Sequence, residues 1–572
     1  MWKSVLNSLL EGLAMTDPIG ATYYMASKRE PVVPPAPPPQ PSPQRGQSSD
    51  TIEVPVLVVG AGPSGLTASI LLSRHGIESL TVERHPGTSI YPRATGINIR
   101  TMEILRSLGL EERVRQASFE AAPRLARSRT MIDPEPILFP SFRSESVHVS
   151  PTEWTSCAQS ELEPILLQEA ASHPGAQLLF GTELLGFEEA GEEISAMIAD
   201  RATGQVRQVR CRFLIAADGS RSPIRERLGI RMGGVGVLAD NVAFHFSAPL
   251  RRHLPAGTNF LQFVENEDVS GVFIATDAES RWVFSVTYHP EQGESPAWFT
   301  PERATDLIRK GAGVPDLEVD VRSIVPWKMQ ADLAERWRVG RVFLAGDAAH
   351  RMTPAGGLGM NTGIQDVHNL CWKLAAVLQG WGDPGLLDTY EAERRPVGKY
   401  NVERSAAFIT GDARINQRTA LDVDLGFVYE SAATVPDGEP PPHTGQEHWQ
   451  ARPGARAPHV LLGPGSSTLD LFGPHFTLLA GARSSAWCHT ASEVAGELGV
   501  PLQARTMPFG PWNAVYGVGD KGAVLVRPDG HVAWRSSADV ESPAGQLRRV
   551  LSSLLSKCRA AEYVPAERRL AS

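Results

Sequence analysis

Two groups of glycine and acidic residues carry the strongest chemical signal in the sequence. In the first, Gly60, Gly62 and Gly65 follow the apolar run VPVLVV, and Glu83 ends the next apolar run. Glycines at this spacing allow a tight turn and let a diphosphate approach the backbone N–H groups at the start of a helix. An acid about 20 residues further on can accept hydrogen bonds from ribose hydroxyls. The pattern predicts a dinucleotide site.

The second group lies in the stretch GDAAHRMTPAGGLGMNTG, where Gly346 and Asp347 precede a glycine-rich loop. After this loop, apolar residues recur at helical spacing from Ile364 to Leu378, and Gly380 ends the run. The loop therefore leads into the N-terminus of a helix, which presents unpaired N–H groups and a partial positive charge. We predict that it meets an anionic or electron-rich ligand.

A third motif, D-G-x-x-S-x-x-R, is formed by Asp218, Gly219, Ser222 and Arg225. Three motifs therefore follow one another along the chain: the glycine turn, this motif and the Gly346–Asp347 pair. At this point the chain resembles the group A flavoprotein monooxygenases, the aromatic-ring hydroxylases of the para-hydroxybenzoate and phenol hydroxylase type. The resemblance extends over residues 54–400. The combination of the three motifs is much more specific than any one of them.

The resemblance implies one bound FAD, with NADPH or NADH as the reductant and O2 as a further substrate. It also implies that Asp347 holds the ribityl chain and that residues 354–361 lie against the flavin ring. Helix N–H groups there can stabilise the negative charge of the reduced flavin. The residues predicted to bind FAD are Gly60, Gly62, Gly65, Glu83, Arg84, Arg93, Gln159, Asp218, Gly346, Asp347, Pro354, Gly357, Gly359, Met360 and Asn361. No metal site is predicted.

The same resemblance implies that one oxygen atom is inserted into an aromatic small molecule of phenolic or polyketide type, by hydroxylation. Phenol hydroxylases are expected to have an Asp just after the position of Arg93, but Thr95 stands there and cannot act as a base at neutral pH. The catalytic residues stay unknown, with His245 and Tyr288 as candidates. Candidate walls of the substrate pocket are His245, Phe263, Trp282, Phe284 and Tyr288. Baeyer–Villiger oxidation, epoxidation and a non-enzymatic FAD-binding scaffold are the alternatives.

The elements that must position these residues indicate an α/β fold. Runs such as VPVLVVG and FLIAAD are typical of buried parallel strands, whereas RWVFSVTYHP alternates as an antiparallel strand does. We predict a Rossmann-like FAD-binding domain over residues 51–235 and 336–415, with an inserted antiparallel substrate domain over 236–335. A disordered leader and Pro-rich linker should cover residues 1–50, and a second linker should cover 416–456.

Residues 457–572 resemble the thioredoxin-like domain of phenol and polyketide hydroxylases, but they contain no C-x-x-C pair. We therefore predict a role in packing or dimerisation without thiol–disulfide exchange. A homodimer is implied only by the resemblance.

Composition excludes several other classes of protein. The net charge of −9 and the lack of long Lys/Arg runs argue against nucleic-acid binding. No stretch reaches the roughly 18 apolar residues of a transmembrane segment, and five scattered cysteines suit a reducing compartment. We predict a cytoplasmic protein. Residues 2–13 place apolar side chains on one helical face, which leaves a short membrane-surface or partner-binding helix open.

Overall fold

The computed structural model describes residues 51–119, 122–138, 149–254, 259–277, 279–412, 418–438, 451–537 and 540–555. The predicted leader over residues 1–50 and part of the second linker lie outside these residues. The chain divides into two compact units. Unit 1 takes in the described residues up to His368 together with 397–425, and unit 2 takes in Asn369–Pro396 and the described residues from Gly426 onward.

The strands of unit 1 are, in chain order, β1 (Thr51–Glu53), β2 (Val56–Val59), β3 (Ser79–Glu83), β4 (Gly96–Ile97), β5 (Ala122–Ser128), β6 (Ile137–Leu138), β7 (Thr155–Ser156), β8 (Ala176–Phe180), β9 (Thr182–Ala190), β10 (Glu193–Asp200), β11 (Val206–Cys211), β12 (Phe213–Ala216), β13 (Met232–Ser247), β14 (Asn259–Glu265), β15 (Ser270–Ala275), β16 (Arg281–Tyr288), β17 (Asp320–Ala334), β18 (Arg338–Val339), β19 (Val342–Leu344) and β20 (His350–Arg351). Unit 2 adds β21 (Leu461–Gly463), β22 (Ser466–Ser467), β23 (Phe476–Ala480), β24 (Leu502–Thr506), β25 (Ala523–Val526) and β26 (Val532–Ser536).

The α-helices are α1 (Pro63–Arg74), α2 (Ile99–Ser107), α3 (Glu111–Ala117), α4 (Gln159–Ser172), α5 (Pro223–Arg227), α6 (Pro301–Ala312), α7 (Gly359–Leu378), α8 (Asp388–Thr410), α9 (Ala420–Leu425), α10 (Ser485–Leu498), α11 (Trp512–Tyr516) and α12 (Pro543–Leu554). Helices α7 and α8 each run through the division between the units. The predicted helix that ends before Gly380 is confirmed as α7, and Gly380 has a left-handed φ of 79°. None of the described helices is long and apolar enough to cross a membrane.

A six-stranded sheet in the order β18-β19-β12-β2-β3-β8 positions the motifs. All of its neighbouring pairs are parallel except β18–β19. Its central strands β2 and β12 are fully buried, as the apolar runs predicted. Because parallel strands end at one edge, the segments that follow β2, β3, β12 and β19 meet there. This edge is where open α/β sheets bind their ligands.

An eight-stranded sheet in the order β20-β17-β13-β16-β15-β14-β5-β6 forms the second large layer of unit 1. Strands β17, β13, β16, β15 and β14 pair antiparallel along this order. One face packs on helix α6 in a core that includes Phe244, Phe284 and Ile308. A four-stranded sheet, β1-β11-β10-β9, and the small pair β4-β7 complete the unit.

Unit 2 contains a four-stranded sheet in the order β24-β23-β25-β26. Strand β24 runs parallel to β23, whereas β25 and β26 are antiparallel to their neighbours. Its core combines residues of this sheet with helices α10 and α12, among them Trp487, Leu525 and Leu551. Cys488 is partly buried and free, and its Sγ lies 3.2 Å from the Thr506 hydroxyl.

A network of fully buried charges lies in unit 2. The Glu393 carboxylate accepts hydrogen bonds from Lys373 Nζ at 2.7 Å and from both terminal nitrogens of Arg527, at 2.6 and 2.9 Å. Arg527 is also paired with Asp529. The Asn369 side chain donates to both acids, at 2.7 Å to Glu393 and 3.2 Å to Asp529. Each carboxylate is therefore surrounded by donors, which is the condition under which buried charges are tolerated.

Candidate active site

The glycine turn after β2 has the shape that a diphosphate requires. Gly60 has a φ of 104°, and a Cβ there would overlap the Ala217 carbonyl. A Cβ on Gly65 would overlap the Gly60 carbonyl, so neither position accepts another residue without a shift of the backbone. By contrast, no atom lies within 4 Å of the position of a Cβ on Gly62, which begins helix α1 without a side-chain cap. Space is therefore open beside Gly62, at the end of the helix where backbone N–H groups lack intrahelical partners.

Glu83 lies at the end of β3, next to this turn. Its carboxylate accepts from the Ala61 N–H and the His85 N–H, both at 2.9 Å. The neighbouring Arg84 is exposed, and its carbonyl accepts from the Arg201 guanidinium at 3.0 Å. Burial lowers the pKa of His85, against the opposing effect of Glu83, and the arginines nearby add to the lowering. Arg84, Arg93 and Arg201 therefore lie within electrostatic reach of this edge.

The turn after β19 brings three backbone segments into close contact. Gly346 has a φ of 60°, and a Cβ there would lie 2.8 Å from the Ser64 hydroxyl oxygen of helix α1. A Cβ on Gly363 of helix α7 would meet the same hydroxyl and lie 2.9 Å from the Gly346 Cα. The turn and the first turns of α1 and α7 therefore converge, and these contacts require glycine at both positions.

Asp347 lies in this turn and is exposed to solvent. The surrounding protein nevertheless raises the pKa of its carboxyl, while His350, Arg93 and Arg351 act in the opposite direction. An acid that solvent reaches and protein surrounds lies in a concave part of the surface. Asp347 can therefore accept hydrogen bonds from hydroxyl groups of a ligand bound in that concavity.

Sequence reasoning missed two residues that hold this turn. Asp366 on helix α7 accepts from His350 Nε2 at 2.7 Å and from the Gly346 N–H at 3.2 Å. The His350 and Asp366 side chains are both fully buried. Their signal in the sequence was weak, because His350 simply follows the GDAA stretch and Asp366 is a single acid in an apolar helix. Together they lock the Gly346–Asp347 turn onto α7.

The D-G-x-x-S-x-x-R motif is joined to the same turn. The Ser222 hydroxyl accepts from the Arg225 N–H at 3.0 Å and so caps helix α5. The buried Arg225 guanidinium donates to the Ala348 carbonyl at 3.0 Å and to the Ser220 carbonyl at 3.1 Å. Asp218 Oδ2 accepts from the Ile224 N–H at 3.4 Å, but its Oδ1 is buried without a partner. Burial raises the pKa of this carboxyl, and Oδ1 can still accept a hydrogen bond.

Arg93 and Gln159 both act on a further acid, Glu163. Gln159 begins helix α4, and its side chain donates to the buried Glu163 at 2.6 Å. Burial raises the pKa of Glu163, whose second oxygen accepts from the Ser89 N–H at 2.6 Å. Arg93 is exposed, and its charge partly opposes the rise in pKa of both Glu163 and Asp347. Arg93, in the segment after β3, is therefore within electrostatic reach of the turn after β19.

The glycine loop before α7 is open on one side and tied down on the other. Pro354 and Gly357 are exposed, and Gly359 and Met360 are half-buried. Asn361, which was predicted to bind FAD, is buried, and its side chain is occupied by protein groups. It donates to the carbonyls of Gly357 at 2.7 Å and Gly96 at 3.0 Å, and accepts from the Asn98 N–H at 3.0 Å.

Strand register divides the five predicted pocket residues between two faces of the eight-stranded sheet. Trp282, Phe284 and Tyr288 lie in the core that packs on helix α6, and the Tyr288 ring lies 6.1 Å from that of Phe299. The antiparallel strand predicted from the alternation in RWVFSVTYHP is confirmed as β16, and these three side chains share one of its faces. His245 pairs with Val283 and Phe263 pairs with Val272, so both lie on the opposite face, which we call the His245 face. The two candidate catalytic side chains therefore point to opposite sides of the sheet.

On the His245 face, the segment that carries Arg93 lies against His245. The Tyr91 and His245 rings are 5.1 Å apart, and His245 Nδ1 is buried without a hydrogen-bond partner. Burial, assisted by the charge of Arg93, lowers the pKa of His245 to about 4. Its imidazole is therefore neutral at pH 7. Thr95, which stands where a phenol hydroxylase is expected to have its base, is buried.

These residues fit FAD on three observations. The open space beside Gly62 suits a diphosphate at a helix N-terminus. Asp218 Oδ1 is a buried acceptor without a partner, and Asp347 is an acceptor that solvent reaches. The fold and the site thus define a flavin-binding α/β protein.

Comparison with known proteins identifies its family. Residues 53–405 match the family described as FAD binding domain, and residues 450–558 match the family described as aromatic-ring hydroxylase, C-terminal. The chain belongs to the FAD-dependent aromatic-ring hydroxylases, and FAD is its cofactor. It is a monooxygenase of this family.

Similar proteins span almost the whole chain. It is 40% identical to tetracenomycin A2 monooxygenase-dioxygenase of Streptomyces glaucescens, over 89% of this chain and 98% of that protein. It is also 40% identical to 4-methyl-5-nitrocatechol 5-monooxygenase of a Burkholderia species, over 89% and 98%. The crystal structure of aklavinone-11 hydroxylase with FAD and aklavinone has a TM-score of 0.82 and 37% identity, and the alignment covers 88% of this chain and 99% of that one.

Proposed function

We propose that this monooxygenase hydroxylates a phenolic, polycyclic aromatic compound of polyketide type, with NADPH as the reductant and O2 as the source of the oxygen atom. The observation that carries the proposal is the position of the His245 face. The Tyr91–Arg93 segment, next to the concavity that contains Asp347, lies against this face. Similarity to a tetracenomycin A2 monooxygenase-dioxygenase over 89% of the chain supports the polyketide class of substrate.

The residues that would hold the cofactor divide by the chemistry of what they bind. The turn from Gly60 to Gly65 and helix α1 would bind the diphosphate, and Glu83 and Arg84 would bind at the ribose and its surroundings. Asp347 would accept from ribityl hydroxyls, and Arg93, Gln159 and Asp218 would complete the site. When bound, FAD supplies the redox chemistry of oxygen transfer. The N–H groups at the start of α7 would stabilise negative charge on the reduced ring.

His245 is the protein group that we assign to the substrate. A neutral imidazole with a free ring nitrogen can accept a hydrogen bond from a phenolic hydroxyl or donate one to a phenolate. With a pKa near 4 it is a weak base, so we assign it the orientation of the hydroxyl. Phe263, which is 39% exposed on the same face, would contact the flat ring system. Tyr288 contributes to the core on the other face.

We also propose the domain assignments that the motifs predict. Residues 51–235 and 336–415 would form a Rossmann-like FAD-binding domain, interrupted by the substrate domain over 236–335. The strand order β24-β23-β25-β26 supports a thioredoxin-like domain over 457–572, after a linker over 416–456. This domain contains Cys488 as its one described cysteine, which supports a role in packing or in a homodimer. A cytoplasmic location agrees with the free cysteines among the described residues.

Anaerobic stopped-flow absorbance on the FAD-loaded protein tests the reaction. NADPH or NADH is mixed with it alone or with aklavinone, 4-methyl-5-nitrocatechol or a panel of anthraquinones. We expect a polycyclic phenol to accelerate flavin reduction and to be hydroxylated when oxygen is admitted. Failure of NADPH and NADH to reduce the flavin under every condition would leave an FAD-binding scaffold. Mass spectrometry of the product with labelled O2 separates hydroxylation from a ring-expanded lactone or an epoxide.

A further inference from the structure

A chain of hydrogen bonds connects helix α9 to the flavin loop, which we define as residues 354–361. Asp424 on α9 accepts from the Asn98 side-chain amide at 2.9 Å. The Asn98 backbone N–H donates to the Asn361 side-chain oxygen at 3.0 Å, and the Asn361 amide donates to the Gly357 carbonyl at 2.7 Å. Both asparagines are buried. The described part of unit 1 thus contains a direct polar route from Asp424 to the flavin loop.

Two glycines make the shape of the flavin loop dependent on hydrogen bonds. Gly356 and Gly357 have left-handed φ angles of 85° and 64°, and glycine has more backbone freedom than any other residue. Glycines do not hold one conformation by themselves, so hydrogen bonds must select it. The Gly357 N–H donates to the Pro354 carbonyl at 3.1 Å. Asn361, at the end of the loop in helix α7, anchors it to the Gly96 carbonyl at 3.0 Å.

Asp424 is placed to hold the other end of this chain. Its second carboxylate oxygen accepts from the Ile99 N–H at 3.4 Å, at the start of helix α2. The Asn98 side-chain oxygen caps the same helix by accepting from the Thr101 N–H at 2.9 Å. A carboxylate at a helix N-terminus is favoured by the helix dipole. Asp424 therefore fixes both the side chain and the following N–H of the Asn98 turn.

We propose that Asp424 is a positioning residue for the flavin loop and acts through Asn98 and Asn361. The proposal rests on the assignment of this loop to the flavin, made above. In the ionised form both carboxylate oxygens accept hydrogen bonds, so the Asn98 turn and the loop are held. In the protonated form one oxygen becomes a donor, and one of these bonds is lost.

The surroundings of Asp424 place this change near neutral pH. Burial raises the pKa of its carboxyl to about 7, and the nearby Glu103 acts in the same direction. Arg404 on helix α8 and the hydrogen bonds from Ile99 and Asn98 act in the opposite direction. Glu103 is itself paired with Arg100 at 3.0 Å on α2. The carboxyl should therefore be half ionised near pH 7, so the link strengthens above this pH and weakens below it.

The test compares FAD-loaded wild-type protein with Asp424→Asn and Asp422→Asn. Asp422 lies on the same helix and accepts only from Thr419 among the described residues. We expect the visible spectrum and fluorescence of bound FAD to change with an apparent pKa of about 7 in the wild type and in Asp422→Asn. Asp424→Asn should lose this transition. At pH 8 it should also bind FAD about tenfold more weakly, which corresponds to the loss of one charge-assisted hydrogen bond.

Asn98→Ser provides a second variant in case Asp424→Asn does not fold. Serine keeps the cap of helix α2 but removes the side-chain amide that donates to Asp424, so the pH-dependent change in the FAD spectrum should become smaller. The proposal is overturned if Asp424→Asn and Asn98→Ser lower only the melting temperature and keep the FAD spectrum, affinity and pH transition of the wild type. Failure of the proposed function would appear differently, as wild-type protein that binds FAD with the same transition but hydroxylates no phenol.

Discussion

Acidic residues occur in two opposite settings in this protein. Around the flavin site of unit 1, burial raises the pKa of Asp218 and Glu163, the surrounding protein raises that of the exposed Asp347, and one oxygen of Asp218 has no partner. In the buried network of unit 2, Arg527 lowers the pKa of Glu393 and Asp529, against the effect of burial. The network acids are neutralised by their own chain. Asp218 and Asp347 keep capacity for a ligand.

This difference separates a binding site from a structural element. A buried carboxylate is tolerated only if donors replace its water, and protein donors do so for Glu393. At Asp218 that replacement is incomplete, which costs stability, and solvent reaches Asp347, so both acids offer acceptors to a cofactor. Perturbed acids alone do not mark a site, since both settings shift pKa values. The direction of the shift and the missing partner distinguish them.

The largest effect is expected from Glu393→Gln. The substitution keeps the shape of the side chain but leaves Lys373 and Arg527 short of one negative charge in a buried setting. Removing one partner of a buried pair costs about 3–5 kcal/mol. Urea unfolding followed by tryptophan fluorescence measures it, since Trp372 and Trp487 lie in the core of unit 2. Glu497→Gln, which breaks an exposed ion pair with Arg548, is the control and should leave the unfolding midpoint unchanged.

Acid should affect the two settings in a fixed order. Glu393 and Asp529 have lowered pKa values in the folded state, so their contribution to stability is present above their unfolded pKa values and is lost as the pH falls. Between neutral pH and pH 3, the free energy of unfolding should fall by about 3 kcal/mol from these two acids together. The site acids have raised pKa values and accept protons at higher pH. As the pH falls, FAD fluorescence should therefore show release of the cofactor before tryptophan fluorescence shows unfolding. Unfolding before FAD release would contradict the proposed difference between the two groups of acids.

The sequence predicted the parts of this comparison that depend on local patterns. Gly60, Gly65 and Gly346 were identified because their turns need glycine, and that need is visible in a few adjacent residues. The Asp366–His350 pair and the hydrogen bond from Arg225 to Ala348 could not be predicted in this way, because they join residues 16 and 123 positions apart. Strand alternation placed Trp282, Phe284 and Tyr288 on one face, but only the position of α6 shows that this face is the core.

The next effect in size concerns the cofactor. Asp347→Ala removes the exposed acceptor at the convergence of the turn with α1 and α7, and we expect it to weaken FAD binding about 100-fold, as the loss of charge-assisted hydrogen bonds predicts. Fluorescence titration of the apoprotein with FAD measures the dissociation constant. Asp316→Asn, an exposed acid of unit 1, is the matched control. If Asp347→Ala binds FAD with the affinity of the wild type, Asp347 has no role in FAD binding.

The smallest expected effect is on substrate affinity, and it compares the two faces of the eight-stranded sheet. His245→Leu removes the neutral imidazole from the His245 face, and we expect it to weaken binding of the phenolic substrate about tenfold, with little change in FAD affinity. Tyr288→Phe, on the core face, should leave substrate binding unchanged, because the ring keeps its packing in the α6 core. Titration with substrate, followed by the change in the flavin spectrum, measures the dissociation constant of the substrate for each variant.

Substrates with and without a free hydroxyl sharpen this test. If His245 orients a hydroxyl, His245→Leu should lose affinity for the phenol but not for its methyl ether, whereas a packing role would affect the two equally. The pKa of His245, lowered to about 4 by burial and by Arg93, predicts no change in wild-type substrate affinity between about pH 6 and pH 8 from this residue. A transition in that range that disappears in His245→Leu would show that the imidazole is charged, and its assignment as a neutral partner would be wrong.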